Sequence, residues 1–564
     1  FVVSALESIA ASKDARKRKP LLDSTQRALS AIRNAQGDAA QLDPEILFQP
    51  LNLATEATTV TVVVTALDCI GKLISYSYFS VPAPVEGQEN QPPKAPLIER
   101  AIDTICDCFQ GEATPPEVQM QIIKSLLAAI LNDKIVVHGA GLLKSVRQTY
   151  NIFLLSRHSA SQQIAQGSLT QMVGTVFERV KARLASKAVR YGSSRTSLGQ
   201  DNSANGTDTP AGMDATETPQ ADDIDTPVDR EATVNAMTLQ DFEKRKSFDD
   251  TRITDNTTTV TRARRATLIK QASRTTSGAE LPTITVQGEG SEAYTEDEEE
   301  DEIYIKDAFL VFRAMCKLST KTVRREEEVD IKSQGMRSKL LSLHIIHTVL
   351  FNHFAVFTDP HATIRSSAGQ EPTEFTHAVK QYLCLSLSKN AASSAKPVFE
   401  VSAEIFWLMV RYLRSELKRE LEVFIKEVYL TILDKRLAPG WQKSYIVQNI
   451  FGRIASEPKA LVEIYLNYDC DRQALDNMFQ RIIEHVSRIS GQPVPVTAIQ
   501  QQAFAEFSTK QASTGANDWQ QRGTLPPSLA AASMNTPSDA ERGFPSEYAL
   551  KMQSLETLVE TLRS

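Results

Sequence analysis

Residues Val118–Leu131 read VQMQIIKSLLAAIL, and this stretch decides the fold. Val118, Ile122, Leu126 and Ile130 fall four apart, with Ile123 and Leu127 beside them, so a wide apolar stripe runs along one helix. A stripe that wide is buried against two neighbours. Asn132, Asp133 and then His138-Gly139 break the pattern, Leu142–Leu155 resumes it, and Gly167-Ser168 precedes a further helix over Leu169–Leu184. The same spacing returns far downstream. Val401, Ile405, Met409, Leu413 and Leu417 step by four, Leu421, Ile425 and Tyr429 continue the row, and Ile446, Ile450 and Ile454 repeat it before Pro458. Leu461–Leu466 follows that proline, and alternating strand patterns are almost absent. Helices joined by short turns and apolar on wide faces predict an all-α, extended armadillo/HEAT-like solenoid. A helical bundle is the competing architecture, and a chain of 564 residues favours the solenoid.

Composition divides the chain. Residues 1–190 form a first helical domain. Residues 191–301 are rich in Ser, Thr, Asp and Gly, poor in aromatics, and close on the acidic run Glu296–Glu302. That span buries too little apolar surface to offset its chain entropy and is expected to be a long disordered linker. Within it, Met237–Phe248 (MTLQDFEKRKSF) is a candidate short helix docking on a folded part. Residues 302–491 form a second helical domain, and 492–564 a polar linker with a terminal helix.

The formal charge of −7 argues against a general nucleic-acid binder, which carries a basic field. The six cysteines are scattered, most of them in apolar runs, which fits a reduced cytosolic compartment. Sequons at Asn205 and Asn256 matter only for a secreted chain. No apolar run reaches the roughly 18–20 residues that span a bilayer; the longest, Thr58–Leu67, is short and threonine-rich.

Enzyme signatures are missing: there is no GxxxxGK[ST], HExxH or GxSxG, and Gly139-Ala140-Gly141 lacks the preceding strand of a phosphate loop. No catalytic residue, metal or cofactor is expected. His344 and His347, with His353 beyond, have a spacing that suits metal ligands, but Leu343, Ile345, Ile346 and Leu350 around them make a packed helix the plainer reading. Cys106 and Cys108 face different ways on a helix and read as core. The cluster Arg16-Lys17-Arg18-Lys19 is either a solvated helix end or a contact for an anionic lipid or acidic partner. Arg264-Arg265 just upstream make Thr267 a candidate phosphosite. Asn467-Tyr468-Asp469-Cys470-Asp471 lies between a helix ending near Leu466 and one starting near Arg472. Either Asp469 or Asp471 caps the next helix, or the group binds a neighbouring domain.

Several segments resemble the N-terminal half of the large trans-Golgi Arf guanine-nucleotide exchange factors, the BIG and Golgi Sec-seven class. KSLLAAI, VHGAGLLKSVRQTYNIFLLSR and SLTQMVGTVFERV within Ile122–Val180 are similar to the dimerization and cyclophilin-binding (DCB) domain. KDAFLVFRAMCKLSTK (Lys306–Lys321), VKQYLCLSLSKN (Val379–Asn390) and Val398–Leu433 resemble the "homology upstream of Sec-seven" (HUS) domain, and NYDCD at 467–471 matches its box. PPSLAAASM (Pro526–Met534) and Glu547–Ser564 resemble the linker before the exchange domain, which is expected to begin just beyond Ser564. The resemblance implies a regulatory scaffold without exchange activity of its own. Homodimerization through the DCB region, binding of activated Arf-, Arl- or Rab-type GTPases, control of the catalytic domain of the same protein, and peripheral placement on trans-Golgi membrane from the cytosol all follow from it. It further implies that Asn467, Tyr468, Asp469, Cys470 and Asp471 support packing between the two domains. The rival reading is an armadillo-like adaptor for peptides or cargo.

Overall fold

The computed structural model describes residues 1–35, 42–79, 96–198, 237–245, 260–262, 290–324, 330, 333–365, 372–471, 476–514 and 542–564. Over these the chain is all-α, an extended solenoid of stacked helices. The first half runs through α1 (Val2–Ala11), α2 (Lys13–Lys17), α3 (Lys19–Asn34), α4 (Pro44–Thr55), α5 (Val60–Ser75), α6 (Leu97–Asp107) and α7 (Pro116–Leu131). After the short strand β1 (Ile135–Val137) come α8 (Gly139–Leu155) and α9 (Ser159–Leu198).

Local chemistry sets many of these limits. The Asp43 carboxylate accepts from Glu45 N at 3.0 Å and Pro44 takes the first helical position, so α4 starts there. The run VTVVVT opening α5 is β-branched and a poor helix former. It is helical because Val62, Val63, Ala66, Leu67 and Ile70 are buried against neighbouring helices, α7 foremost. Gly71 permits that approach: a Cβ there would lie 2.5 Å from Ser125 Oγ, which donates to Leu67 O. Asn132 ends α7 with its side chain, accepting from Lys134 N and Ile135 N while donating to Ile74 O at 2.6 Å. Among the described residues no helix is long and apolar enough to cross a membrane.

The expected boundary at 190 falls inside α9, which at about 1.5 Å per residue is roughly 60 Å long. Between the halves, α10 (Asp241–Lys244) docks on the second half, and β2 (Val260–Arg262) pairs antiparallel with β1, Ile135 opposite Arg262. The boundary at 301 falls inside α11 (Gly290–Ser319), so the acidic run read as linker is helical. Arg183 and Arg190 of α9 explain why, since they pair with Glu300 and Asp301. The rest of the expected disordered span lies outside the described residues.

The second half continues through α12 (Gln334–Asn352), α13 (Phe354–Thr358), a small ladder of β3 (Thr363–Arg365) on β4 (Pro372–Glu374), α14 (Phe375–Asn390) and α15 (Lys396–Tyr412). Residues 418–434, 440–456 and 458–469 form α16, α17 and α18; π turns interrupt the first two at Phe424–Leu430 and Ile446–Phe451, and a third, Tyr465–Asp469, ends α18. Then come α19 (Met478–Ser490), α20 (Ala498–Thr514) and α21 (Ser546–Arg563), the last packed on α17 and α19. Hydrophobic burial is continuous from Leu6 to Ile489, so the two halves share one core. A smaller cluster of Phe504, Phe544 and Ala549 joins α20 to α21.

Candidate interaction sites

The junction between the halves brings together groups far apart in sequence. Gly139, with φ +62°, opens α8 and leaves its first N–H groups without helical partners. Asp307 of α11 supplies the missing acceptor. Its Oδ1 takes Gly139 N at 2.9 Å and its Oδ2 takes His138 Nδ1 at 2.6 Å, 169 residues away in the chain. The carboxylate thus caps a helix of the other half, at the end where the dipole favours negative charge. Both side chains are almost wholly buried, 1% and 7% exposed, and Tyr304 sets its ring edge-on to His138 at 4.7 Å.

Apolar and aromatic groups extend this contact. Phe177 of α9 is fully buried and meets Phe357 at 6.2 Å, Phe375 at 6.3 Å and His353 at 5.6 Å, all from the second half. Tyr150 of α8 donates to Ser338 O at 3.2 Å, and burial pushes its phenol up to about 12. Arg337 lies over the Phe153 ring at 4.8 Å while donating to the Phe153 carbonyl. Arg183 stacks on Tyr304 at 4.6 Å and pairs with Glu300. None of these pairings was readable from the chain. A carboxylate placed in the apolar run KDAFLVF was the signal that could have marked Asp307.

The box at 467–471 closes an elbow between α18 and α19. Tyr468 is buried and donates to Lys418 O at 2.6 Å; burial lifts its phenol above the ordinary range. Asp469 accepts from Phe479 N at 2.8 Å and Gln480 N at 2.9 Å. It therefore caps α19, which starts at Met478 rather than near Arg472. The Asp471 carboxylate pairs with Lys418 at 2.5 Å. Cys470 is exposed, and its N–H reaches back to Tyr465 O at 3.1 Å. Asn467 is half-buried on the π turn. These contacts of Tyr468, Asp469 and Asp471 tie residues within 418–480 to one another.

The two aspartates should behave unequally. Asp469→Ala is expected to lower stability by about 1 kcal/mol, the usual worth of a helix cap. Asp471→Ala is expected to cost well under ~1 kcal/mol, since both members of its ion pair are about one-third exposed. Urea midpoints of the two variants check this, and equal losses would remove the cap assignment.

Other candidates resolve plainly. His344 and His347 are buried, and burial lowers them to about 3 and about 4, so both rings are neutral members of the core. His353 is buried against Phe177. Cys106 and Cys108 are pushed up to about 12 and about 11 by burial, which keeps them as thiols. Arg18 is engaged, pairing with Glu56 at 2.8 Å and donating to the Glu56 carbonyl, whereas Arg16, Lys17 and Lys19 are exposed. Among the described residues, Glu374, His377 and Glu416 bring three ligating atoms within 4.8 Å, all on exposed side chains. Thr267 lies outside the described residues.

Comparison with known proteins gives two family matches. Residues 1–183 match the model of the Mon2/Sec7/BIG1-like dimerisation and cyclophilin-binding domain, and residues 304–476 match that of the Mon2/Sec7/BIG1-like HUS domain. The chain is 37% identical over 496 residues to the ADP-ribosylation factor guanine nucleotide-exchange factor sec71 of Schizosaccharomyces pombe, covering 87% of this chain and 24% of the relative. It is 31% identical over 589 residues to SEC7 of Saccharomyces cerevisiae, covering 100% and 26%. To the human brefeldin A-inhibited guanine nucleotide-exchange protein 1 it is 29% identical over 578 residues, covering 86% and 30%. The chain thus spans about a quarter of the length of the curated relatives it matches.

Proposed function

The chain belongs to the Mon2/Sec7/BIG1-like proteins as their DCB and HUS domains, and from that premise we propose that it is the non-catalytic regulatory scaffold of an Arf guanine-nucleotide exchange factor in trans-Golgi vesicle traffic. The observation that carries this reading is the shared core. The DCB and HUS halves meet through Asp307 on α8 and Phe177 on the HUS aromatics, so neither half moves without repacking the other. A partner bound on one half then shifts the population of states open to the other, provided its affinity differs between them.

On this reading the partners are activated Arf-, Arl- or Rab-type GTPases, a second copy through the DCB region, and the exchange domain of the same protein. The membrane contact is peripheral, and the exposed Arg16, Lys17 and Lys19 are the candidate contact for anionic headgroups. The box residues Asn467–Asp471 act from within the HUS half, fixing the angle of α19 and with it α21, which packs on α19.

The test is retention of a panel of Golgi Arf-, Arl- and Rab-type GTPases on the purified chain, each loaded with GDP or a GTP analogue, beside an exchange assay. Retention that depends on GTP, without exchange, is the expected result. Exchange by this chain alone would overturn the non-catalytic assignment, and binding blind to the nucleotide would overturn the reading of activated GTPases.

A further inference from the structure

Residues 237–245 sit in a groove between α14 and α16. Phe242 is the anchor. It is fully buried, its ring stacks on Phe424 at 5.4 Å, and Gln381 Nε2 donates to its carbonyl. The remaining grip is polar and directional. Leu239 N donates to Glu427 Oε2 at 2.9 Å, Arg245 pairs with Glu420 at 3.0 Å, and Lys389 pairs with Glu243. Thr238 closes the segment on itself, its N–H and hydroxyl both donating to Asp241 Oδ2, at 2.7 and 2.9 Å.

An aromatic anchor in a desolvated pocket, ringed by ion pairs, is the form of a short recognition motif, not of a core helix. We propose that this HUS groove recognises a motif of the form Thr-x-x-Asp-Phe-x-x-Arg, filled in cis by residues 238–245, and that phosphate on Thr238 empties it for a partner protein carrying the same motif.

The magnitudes favour a releasable contact. One buried ring and two ion pairs hold a free peptide weakly, but a tether within the same chain supplies an effective concentration of millimolar order. Occupancy in cis therefore persists on modest intrinsic affinity, and a modest penalty ends it. A phosphate on Thr238 supplies that penalty. It puts roughly 1.5 to 2 negative charges on a hydroxyl now 2.9 Å from the Asp241 carboxylate, one residue from the backbone N–H bound to Glu427. The Asp241 carboxyl is held below its ordinary range, first by the backbone hydrogen bond from Thr238, so it is ionised when the phosphate arrives. The chemistry is ordinary transfer from ATP by a protein kinase. Thr238 Oγ forms the new P–O bond, the bond from the γ-phosphorus to the bridging oxygen breaks, ADP leaves, and the hydroxyl proton passes to the kinase's base.

The experiment uses the whole chain and a fluorescent peptide of residues 235–248, read by anisotropy. Phe242→Ala in the chain vacates the groove, and this variant is expected to bind the peptide at least tenfold more tightly than the wild-type chain does. Phosphate on Thr238 of the peptide should weaken that binding at least tenfold. A chain carrying Glu420→Arg with Phe242→Ala should prefer a peptide carrying Arg245→Glu. Should Phe242→Ala unfold the chain, the double variant Glu243→Lys with Arg245→Glu replaces it: it reverses both ion pairs and so weakens the hold in cis, and a smaller gain in peptide binding over wild type is expected. A folded variant that binds the peptide no better than wild type would overturn the groove. A phosphopeptide that binds as well as the plain one would overturn the release mechanism.

Discussion

Asp307→Ala is expected to destabilise the chain by about 2–5 kcal/mol, because it removes the acceptor shared by two buried groups, the Gly139 N–H and the His138 ring. The carboxylate satisfies the first N–H of α8 and the His138 ring together, and both acceptor roles disappear with it. What remains is a buried imidazole and a helix terminus cut off from water, each left short of a hydrogen bond. Asn in place of Asp keeps an oxygen for Gly139 N but gives up the charge, so its loss should be smaller. Thermal melts of Asp307→Ala, Asp307→Asn and the exposed control Asp23→Ala separate these cases. A midpoint for Asp307→Ala no lower than that of the control would mean that the pair does not hold the junction.

Phe177→Ala should cost a similar amount, about 3–5 kcal/mol, by a different route. Its ring is fully buried and stacked over Phe357, which is itself edge-on to Phe312 at 5.3 Å and Phe375 at 5.1 Å. Truncation removes the DCB contribution to a cluster otherwise built by HUS residues. The cavity opens between the halves rather than within one. The expected signature is therefore loss of joint melting: a single cooperative transition resolves into two, and limited proteolysis cuts the variant sooner. Phe504→Ala, in the small cluster between α20 and α21, should leave the main transition single. If both variants melt as one unit, Phe177 is a core residue without a coupling role.

The helices were legible because their cores are local and periodic. Val118–Leu131 and the row from Val401 repeat every four residues, and the stripes they predict are the faces buried in α7 and α15. Long-range pairings left no such trace. Nothing in Glu296–Glu302 announces that Arg183 and Arg190 lie opposite, so charge alone suggested linker where α11 continues. The capping function at the box was visible as a choice between Asp469 and Asp471. Only the structure decides it, since the first N–H groups of α19 meet Asp469 while the Asp471 carboxylate pairs with Lys418. Asp307 lies within the KDAFLVF run, yet its partner is a glycine N–H in the other half. Hydrophobic pattern predicts which face is buried; it says little about which polar atoms meet there.

The π turns of α16, α17 and α18 have a consequence for how such chains are compared. Where the hydrogen bond runs to the fifth residue, as from Cys470 N to Tyr465 O, the helix holds one residue more than α-geometry needs. Deleting that residue would restore an ordinary helix and swing every later side chain by about 100° about the axis. Tyr468 would then leave Lys418, and Asp469 would miss α19. When a relative aligns one residue short at these positions, the gap belongs inside the helix, at the π turn, and moving it into the nearest loop would misassign the box.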